Sequence, residues 1–394
     1  MIQLTDPYRG PAWLGHGFRP FFLLAAAWAA LSMALWLSAL IGGFSMPGAL
    51  SAFDWHVHEL LYGFVPAVMA GFLLTAVANW TGRAPVAGMP LLALALCWCA
   101  GRIAVLASTV LGPIVAALLD LSFLAALAAV LGRELLAARN RRNLKVLALL
   151  VLLLAGNALF HAESIAAGSA TGGLGTRVGI TAVVLLIMLI GGRIVPAFTR
   201  SWLAKRGHGR SPAAFDRLDV IAAGVAGVAL AAWCVGPSSP WAASVCLLAA
   251  VLHAWRLGRW AGERTLAEPL VLALHLGYAF VPLGFALVAA AALWPAAIGA
   301  SAALHAWTAG AVGVMTLAVM TRASLGHTGR ALHATRTTSL LYVLVTVSAL
   351  ARIAAGAGLA PLALLGLAAL TWMAAFSGFA LAYGPMLVRP RLEP

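Results

Sequence analysis

Acidic side chains are scarce in this sequence. Asp and Glu number 11 in 394 residues, and charged residues of both signs make up only 9%. A water-soluble domain carries about 25% charged and roughly 45–50% apolar residues, whereas this chain is 63% hydrophobic. That shortage of charge excludes a water-soluble fold. Lys and Arg total 25, giving a formal net charge of +14. In a soluble protein such an excess would raise the question of nucleic acid. Here the basic residues sit in short connectors between apolar runs, where they set orientation in a lipid bilayer, and no nucleic-acid partner is expected. Cysteine is sparse as well. Cys97, Cys99, Cys234 and Cys246 all lie inside apolar segments. The first two are poorly placed on a helix to share a metal, so the four read as small buried apolar residues with no disulfide framework. Met1 to Gly10 has no basic region leading into a short apolar core and cleavage site, so no removable signal peptide is expected.

Long apolar runs fill the space that charge leaves. A membrane-spanning helix needs about 20 predominantly apolar residues. Breaks at Gly, Pro and charge divide the chain into about twelve such spans: 18–41, 54–79, 89–111, 113–137, 144–167, 178–199, 216–236, 240–258, 267–292, 297–321, 337–356 and 361–386. The division near Gly112-Pro113 has the weakest sequence signal. The expected fold is all-α, a polytopic integral membrane protein forming one helical bundle over residues 1–394, with no soluble domain appended.

Charge placement supports this count. Basic residues cluster in alternate connectors: Arg139, Arg141, Arg142 and Lys145; Arg200, Lys205, Arg206 and Arg210; Arg256, Arg259 and Arg264; Arg322, Arg330 and Arg336. Arg83 lies in a further short connector, and Arg389 and Arg391 follow the last span. The connectors around 42–53, 237–240, 293–296 and 357–361 hold no Lys or Arg, and Arg177 is the exception to the pattern. The positive-inside rule then puts both termini in the cytoplasm, which requires an even number of spans.

Ionisable groups inside hydrocarbon are costly and mark functional sites. Topology sorts the ten histidines. His208 and His333 fall in basic connectors as solvated residues, and His16 and His253 are expected at the interface. His56 and His58 open the second span, in Trp55-His56-Val57-His58-Glu59. His161 lies about 24 Å above Lys145, and His305 about 12 Å deep in the tenth span, at 1.5 Å per residue. These four converge on the outer half of the bilayer, accompanied by Glu59 and Glu163. His275 is expected roughly 10 Å above the inner start of the ninth span. Neutral imidazole suits haem iron and copper. His56 and His58, two residues apart, face different sides of a regular helix, so they are expected at two adjoining sites. Arg102 and Arg352 need anionic partners, either Asp120, Glu59 or Glu163 or the carboxylates of a haem, with an internal ion pair or snorkelling as the alternative. Gly191, Gly192 and Pro196 around Arg193 suggest an irregular helix. His327 reads as a loop residue, not a ligand.

Several segments together resemble the NnrS family: Gly17-Phe18-Arg19-Pro20-Phe21-Phe22, Trp55-His56-Val57-His58-Glu59, Ala76-Val77-Ala78-Asn79-Trp80-Thr81-Gly82, Gly191-Gly192-Arg193-Ile194-Val195-Pro196-Ala197-Phe198-Thr199, and the run from His305 through Val319-Met320-Thr321-Arg322 to Arg330. The resemblance implies a multi-pass protein of the bacterial inner membrane that contains haem b and copper and takes part in the response to nitric oxide and nitrosative stress. It does not say whether nitric oxide is turned over or only bound. The family is similar in span number and metal content to haem-copper oxidase subunit I and to nitric oxide reductases, a fold-level analogy. By that analogy His56 or His58 and His305 would carry haem, and Glu59 and Glu163 would handle protons. The sixth and seventh spans lack a tight histidine pair, so copper would draw on His56, His58, His161 and His275. An oxidoreductase would also need an electron donor, a quinol or a redox protein. Two other readings fit the composition, a twelve-helix secondary transporter and a membrane factor that inserts or protects metals.

The topology is testable by labelling. With an impermeant maleimide applied to intact cells, Ser238→Cys should react and Ser211→Cys should not; the reverse pattern would invert the orientation.

Overall fold

A computed structural model of the chain describes residues 8–43, 45–207 and 209–392. It is all-helical, with no strand among the described residues. Among the described residues, twelve helices are long and apolar enough to cross a membrane: α1 Phe18–Leu40, α2 Ala52–Thr81, α3 Met89–Leu106, α4 Pro113–Ala137, α5 Arg141–Ala167, α6 Leu174–Leu203, α7 Arg217–Val235, α8 Pro240–Gly258, α9 Pro269–Leu293, α10 Ala300–His327, α11 Arg336–Gly356 and α12 Pro361–Val388. Each coincides with one of the twelve spans read from the sequence. Two boundaries differ by more than four residues. α10 runs to His327 instead of 321, so that His327, expected in a loop, ends a helix with its ring 5.4 Å from that of Phe18. α3 ends at Leu106 instead of running to 111. There the Ser108 hydroxyl donates to the Val105 carbonyl at 2.7 Å and accepts from the Ala49 N–H at 2.8 Å. A serine that bonds nearby main chain in this way competes with the helix.

The sequence reads as one bundle, and the helices group into two compact units. The first comprises residues 1–182, 323–331 and 376–394, and the second residues 183–322 and 332–375. In the first, α2 is the most enclosed helix of the chain, with 83% of its most apolar stretch buried. Its start is pinned by Asp54, fully buried one turn above His58. One carboxylate oxygen of Asp54 accepts from the main-chain N–H groups of Ala170 and Thr171, at 3.0 and 2.6 Å, and from the hydroxyls of Ser169 and Thr171. The other accepts from Ser51, whose hydroxyl in turn caps the helix at the Asp54 N–H. This ties the α2 entrance to the turn between α5 and α6. At the other end of the unit, Arg19 donates to the Leu387 and Arg389 carbonyls, closing the end of α12 as a basic residue at a helix C-terminus does.

The second unit contains α7, α8, α9 and α11, most of α6 and α10, and about the first half of α12. Asp216 caps α7 by accepting from the Leu218 and Asp219 N–H groups, and the hydrogen bond from Arg259 holds its carboxyl below the usual carboxylate range. His253, near the end of α8, is fully buried. It reaches the Tyr278 hydroxyl at 2.9 Å and the Ala222 carbonyl at 3.2 Å, and Tyr278 also accepts from Arg256, which pairs with Asp219 at 2.6 Å. α6 is continuous through Gly191, Gly192 and Pro196, so the expected irregularity there is absent. A Cβ on Gly192 would lie 2.3 Å from an Arg256 guanidinium nitrogen; the glycine makes room for that side chain. His333, exposed as expected, meets Glu268 at 3.1 Å, and His208 lies outside the described residues. Cys234 and Cys246 are buried, whereas Cys97 and Cys99 are half-buried.

Asp54→Ala removes several charge-assisted hydrogen bonds at once, each worth about 1.5–3 kcal/mol. The expected result is a thermal midpoint in detergent lower by several degrees, with Asp54→Asn falling between the variant and the wild type; an unchanged midpoint would show that α2 does not depend on this tie.

Candidate metal centre

Four helices of the first unit bring six polar side chains together. α2 supplies His58 and Glu59, α3 Arg102, α4 Asp120, and α5 Asn157 and His161; all six are buried. Each element places its residue for a local reason. Asn157 and His161 stand four apart on α5 and therefore share one face. Gly101 lets α3 approach α4, since a Cβ there would sit 3.1 Å from the Asp120 Cα. In α2, six residues from Glu59 to Phe64 form a π-helix. This rare i→i+5 geometry accommodates an extra residue and is concentrated at functional sites.

The guanidinium of Arg102 lies between two carboxylates. It donates to Glu59 Oε2 at 2.7 Å and through its other terminal nitrogen to Asp120 Oδ1. Glu59 Oε2 also accepts from the Trp28 indole at 2.8 Å. Gly63 closes the arrangement, because a Cβ at this position would fall 2.6 Å from Arg102 Nη1 and 2.8 Å from Glu59 Oε2. Arg102 therefore has two counter-ions within the protein.

On the other side of Asp120, both imidazoles converge. Asp120 Oδ2 lies 3.1 Å from His58 Nε2 and 2.9 Å from His161 Nε2, and accepts from the Asn157 amide at 2.7 Å. His58 Nδ1 meets Glu59 Oε1 at 2.9 Å. A neutral imidazole has a single N–H. If His58 gives it to Glu59, the lone pair on Nε2 confronts the carboxylate of Asp120, which is tolerable only with a cation between them. Charge counting agrees: two carboxylates and one guanidinium leave one negative charge uncompensated in an apolar interior. Either a proton or a metal ion must balance it.

The donor set fits a metal ion. The ligand atoms of His58, Asp120 and His161 all lie within 4.8 Å of one another. Bonds of about 2.0–2.2 Å to imidazole and carboxylate call for ligand atoms roughly 3–4 Å apart, and the two contacts to Asp120 Oδ2, at 3.1 and 2.9 Å, are near the lower end of that range. The Glu59 contact to the far ring nitrogen of His58 is the partner that orients ligating histidines in metal proteins.

The remaining sequence candidates lie elsewhere. His56 stacks on Trp36 with ring centroids 4.1 Å apart, so it and His58 face different surroundings. Glu163 caps the start of α6, accepting from the Leu174 and Gly175 N–H groups at 2.7 and 3.1 Å. His275 and His305 belong to the second unit. The Thr199 hydroxyl donates to the Val195 carbonyl and receives His275 Nε2 at 2.8 Å, while the main chain at Gly262 closes over His275 Nδ1. His305 Nδ1 donates to the Ser301 carbonyl at 2.7 Å, Arg352 donates to the Ser301 hydroxyl at 2.9 Å, and a second π-helix, Ala306–Val314, begins directly after His305. Asn157 was not read from the sequence; its signal is an amide four residues before an intramembrane histidine.

Gly63→Ala should force Arg102 off Glu59. Overpacking costs about 1–3 kcal/mol, and breaking a buried ion pair about 3–5 kcal/mol, so the expected outcome is a strongly lowered thermal midpoint, with a wild-type midpoint counting against the Arg102 arrangement.

Comparison with known proteins adds a family. No curated protein matches the chain. The family model described as NnrS protein matches residues 12–391, nearly the whole chain. Its matched region contains every helix that builds the centre, and the chain belongs to the NnrS family.

Proposed function

We propose that this protein is a haem- and copper-containing protein of the bacterial inner membrane that binds nitric oxide as part of the response to nitrosative stress. The observation that carries the reading is the buried convergence of His58, Asp120 and His161. A nitrogen–oxygen donor set of this kind suits copper among the transition metals. Copper bound there would supply an open coordination position for a small ligand.

The chain's own residues do the rest. Glu59 holds a proton at His58 Nδ1 and thereby keeps the Nε2 lone pair turned toward the centre. Arg102 holds the carboxyl groups of Glu59 and Asp120 in place through its two terminal nitrogens. Asn157 donates to Asp120 Oδ2 and fixes the orientation of that carboxylate. Burial excludes water from the centre, and nitric oxide, a small neutral diatomic, crosses an apolar interior without a polar channel. For haem, His305 has the fitting tautomer: its Nδ1–H is given to Ser301 and the basic nitrogen is Nε2. Bound haem would supply a second metal able to hold nitric oxide. Reduction of nitric oxide would require electrons from a quinol or a redox protein as well.

Metal analysis and a visible spectrum of the purified chain test the reading. Copper and a haem absorption band are expected. His161→Ala and Asp120→Asn should lose the copper, and Glu59→Gln should weaken its binding by about 10–100-fold. His305→Ala should shift or abolish the haem band. A colourless, copper-free preparation from replete cells would overturn the proposal, and retention of copper in both of the first variants would remove it from this site. A nitric oxide electrode with a chemical reductant separates turnover from binding.

A further inference from the structure

The charged residues of the second unit are unevenly distributed. Its acids are Asp216, Asp219, Glu263 and Glu268. The first two begin α7 and the last two immediately precede α9. All four therefore lie at the end of the unit where the basic connectors also cluster. At the opposite end, the connectors 236–239, 294–299 and 357–360 contain no charged residue. Arg352 is the exception at that end. It lies in α11 four residues before the helix finishes at Gly356, about 6 Å below the end at 1.5 Å per residue.

Arg352 is half-buried and donates through Nη2 to the Ser301 hydroxyl at 2.9 Å. No carboxylate among the described residues lies within ion-pair distance of it. A guanidinium beside hydrocarbon with one neutral partner calls for an anion. Ser301 is prepared to share that anion. Its carbonyl takes the His305 Nδ1–H, and its hydroxyl oxygen takes Arg352, so the hydroxyl proton remains for a further acceptor. The start of α10 and the end of α11 are in close contact here, because a Cβ on Gly299 would lie 2.7 Å from the Gly356 carbonyl.

The level of the site identifies the class of anion. Trp241, at the start of α8, and Trp294, just past the end of α9, are 67% and 61% exposed at this same end. Exposed tryptophans of membrane helices sit at the lipid head groups. Phosphates of phospholipids lie at that level, and the planar fork of an arginine matches phosphate oxygens in a bidentate fashion. We propose that Arg352 and Ser301 form a site for the phosphate of an anionic phospholipid at the charge-free end of the second unit. The site belongs to the second unit, uses none of the residues of the His58–Asp120–His161 centre, and does not depend on what that centre binds.

Native mass spectrometry of the full chain in an uncharged detergent tests the proposal, with phosphatidylglycerol, phosphatidylcholine and inorganic phosphate as probes. The wild type should retain phosphatidylglycerol in preference to phosphatidylcholine. Arg352→Gln should bind it at least about tenfold more weakly, as expected for loss of a charge-assisted hydrogen bond. Arg352→Lys and Ser301→Ala should fall between, and Ser301→Ala, a mild change, keeps the test open if Arg352→Gln fails to fold. Equal retention by the wild type and all three variants would overturn the site. Displacement of the lipid by equimolar inorganic phosphate would assign it to a free anion instead. Loss of haem from Arg352→Gln with unchanged lipid binding would assign Arg352 to a cofactor carboxylate, and would likewise overturn the lipid assignment.

Discussion

The ion triad of Arg102 with Glu59 and Asp120 is the interaction on which the arrangement of the first unit rests. Three charges inside an apolar helical assembly are tolerable only because each is satisfied by another at hydrogen-bond distance. The triad joins α2, α3 and α4 at one level. Through the second oxygen of Asp120 it also sets where His58 and His161 meet. Small residues make this possible: Gly63 leaves room for the guanidinium and Gly101 for the close approach of α3 and α4. The centre is thus held by a framework that costs far more to break at one member than to keep whole.

The two π-helices form a second common theme. One follows His58 in α2 and the other follows His305 in α10. An added residue in a helix rotates everything beyond it, so side chains on either side of the segment no longer follow a single 3.6-residue register. In α2 this separates the His58 level from the regular helix below. In α10 the segment also carries Gly310 and Gly313, which lie against Phe280 and Trp372. Hydrophobic periodicity gives no indication of such segments, because both helices are apolar on every side.

Much of this was legible in the sequence. The twelve helices follow from apolar run length, since a bilayer of fixed thickness constrains span length directly. Counting residues along each span brought His58 and His161 to one level, and the i, i+2 spacing separated His56 from His58. Other residues were legible only as candidates. Glu163, read as a possible proton carrier, caps α6; Arg102, read as needing an anionic partner, meets Glu59 and Asp120; His253 is enclosed by Tyr278 and Ala222. Depth is a one-dimensional measure, and these outcomes depend on the azimuth of each side chain around its helix.

The sequence by itself determined that the chain is all-helical and that it holds twelve apolar helices long enough to cross a membrane. Those properties follow from transfer energies and the rise of a helix, both of which are local. Only the tertiary structure decided which residues share a site: that Asp120 is held jointly by Arg102, His58, His161 and Asn157, and that, among the described residues, Arg352 has no carboxylate partner while Arg102 has two. Partnership inside an apolar protein depends on which helices are neighbours and how each is rotated. Those quantities are set by close packing of small residues across the whole assembly and leave no local signature in the chain.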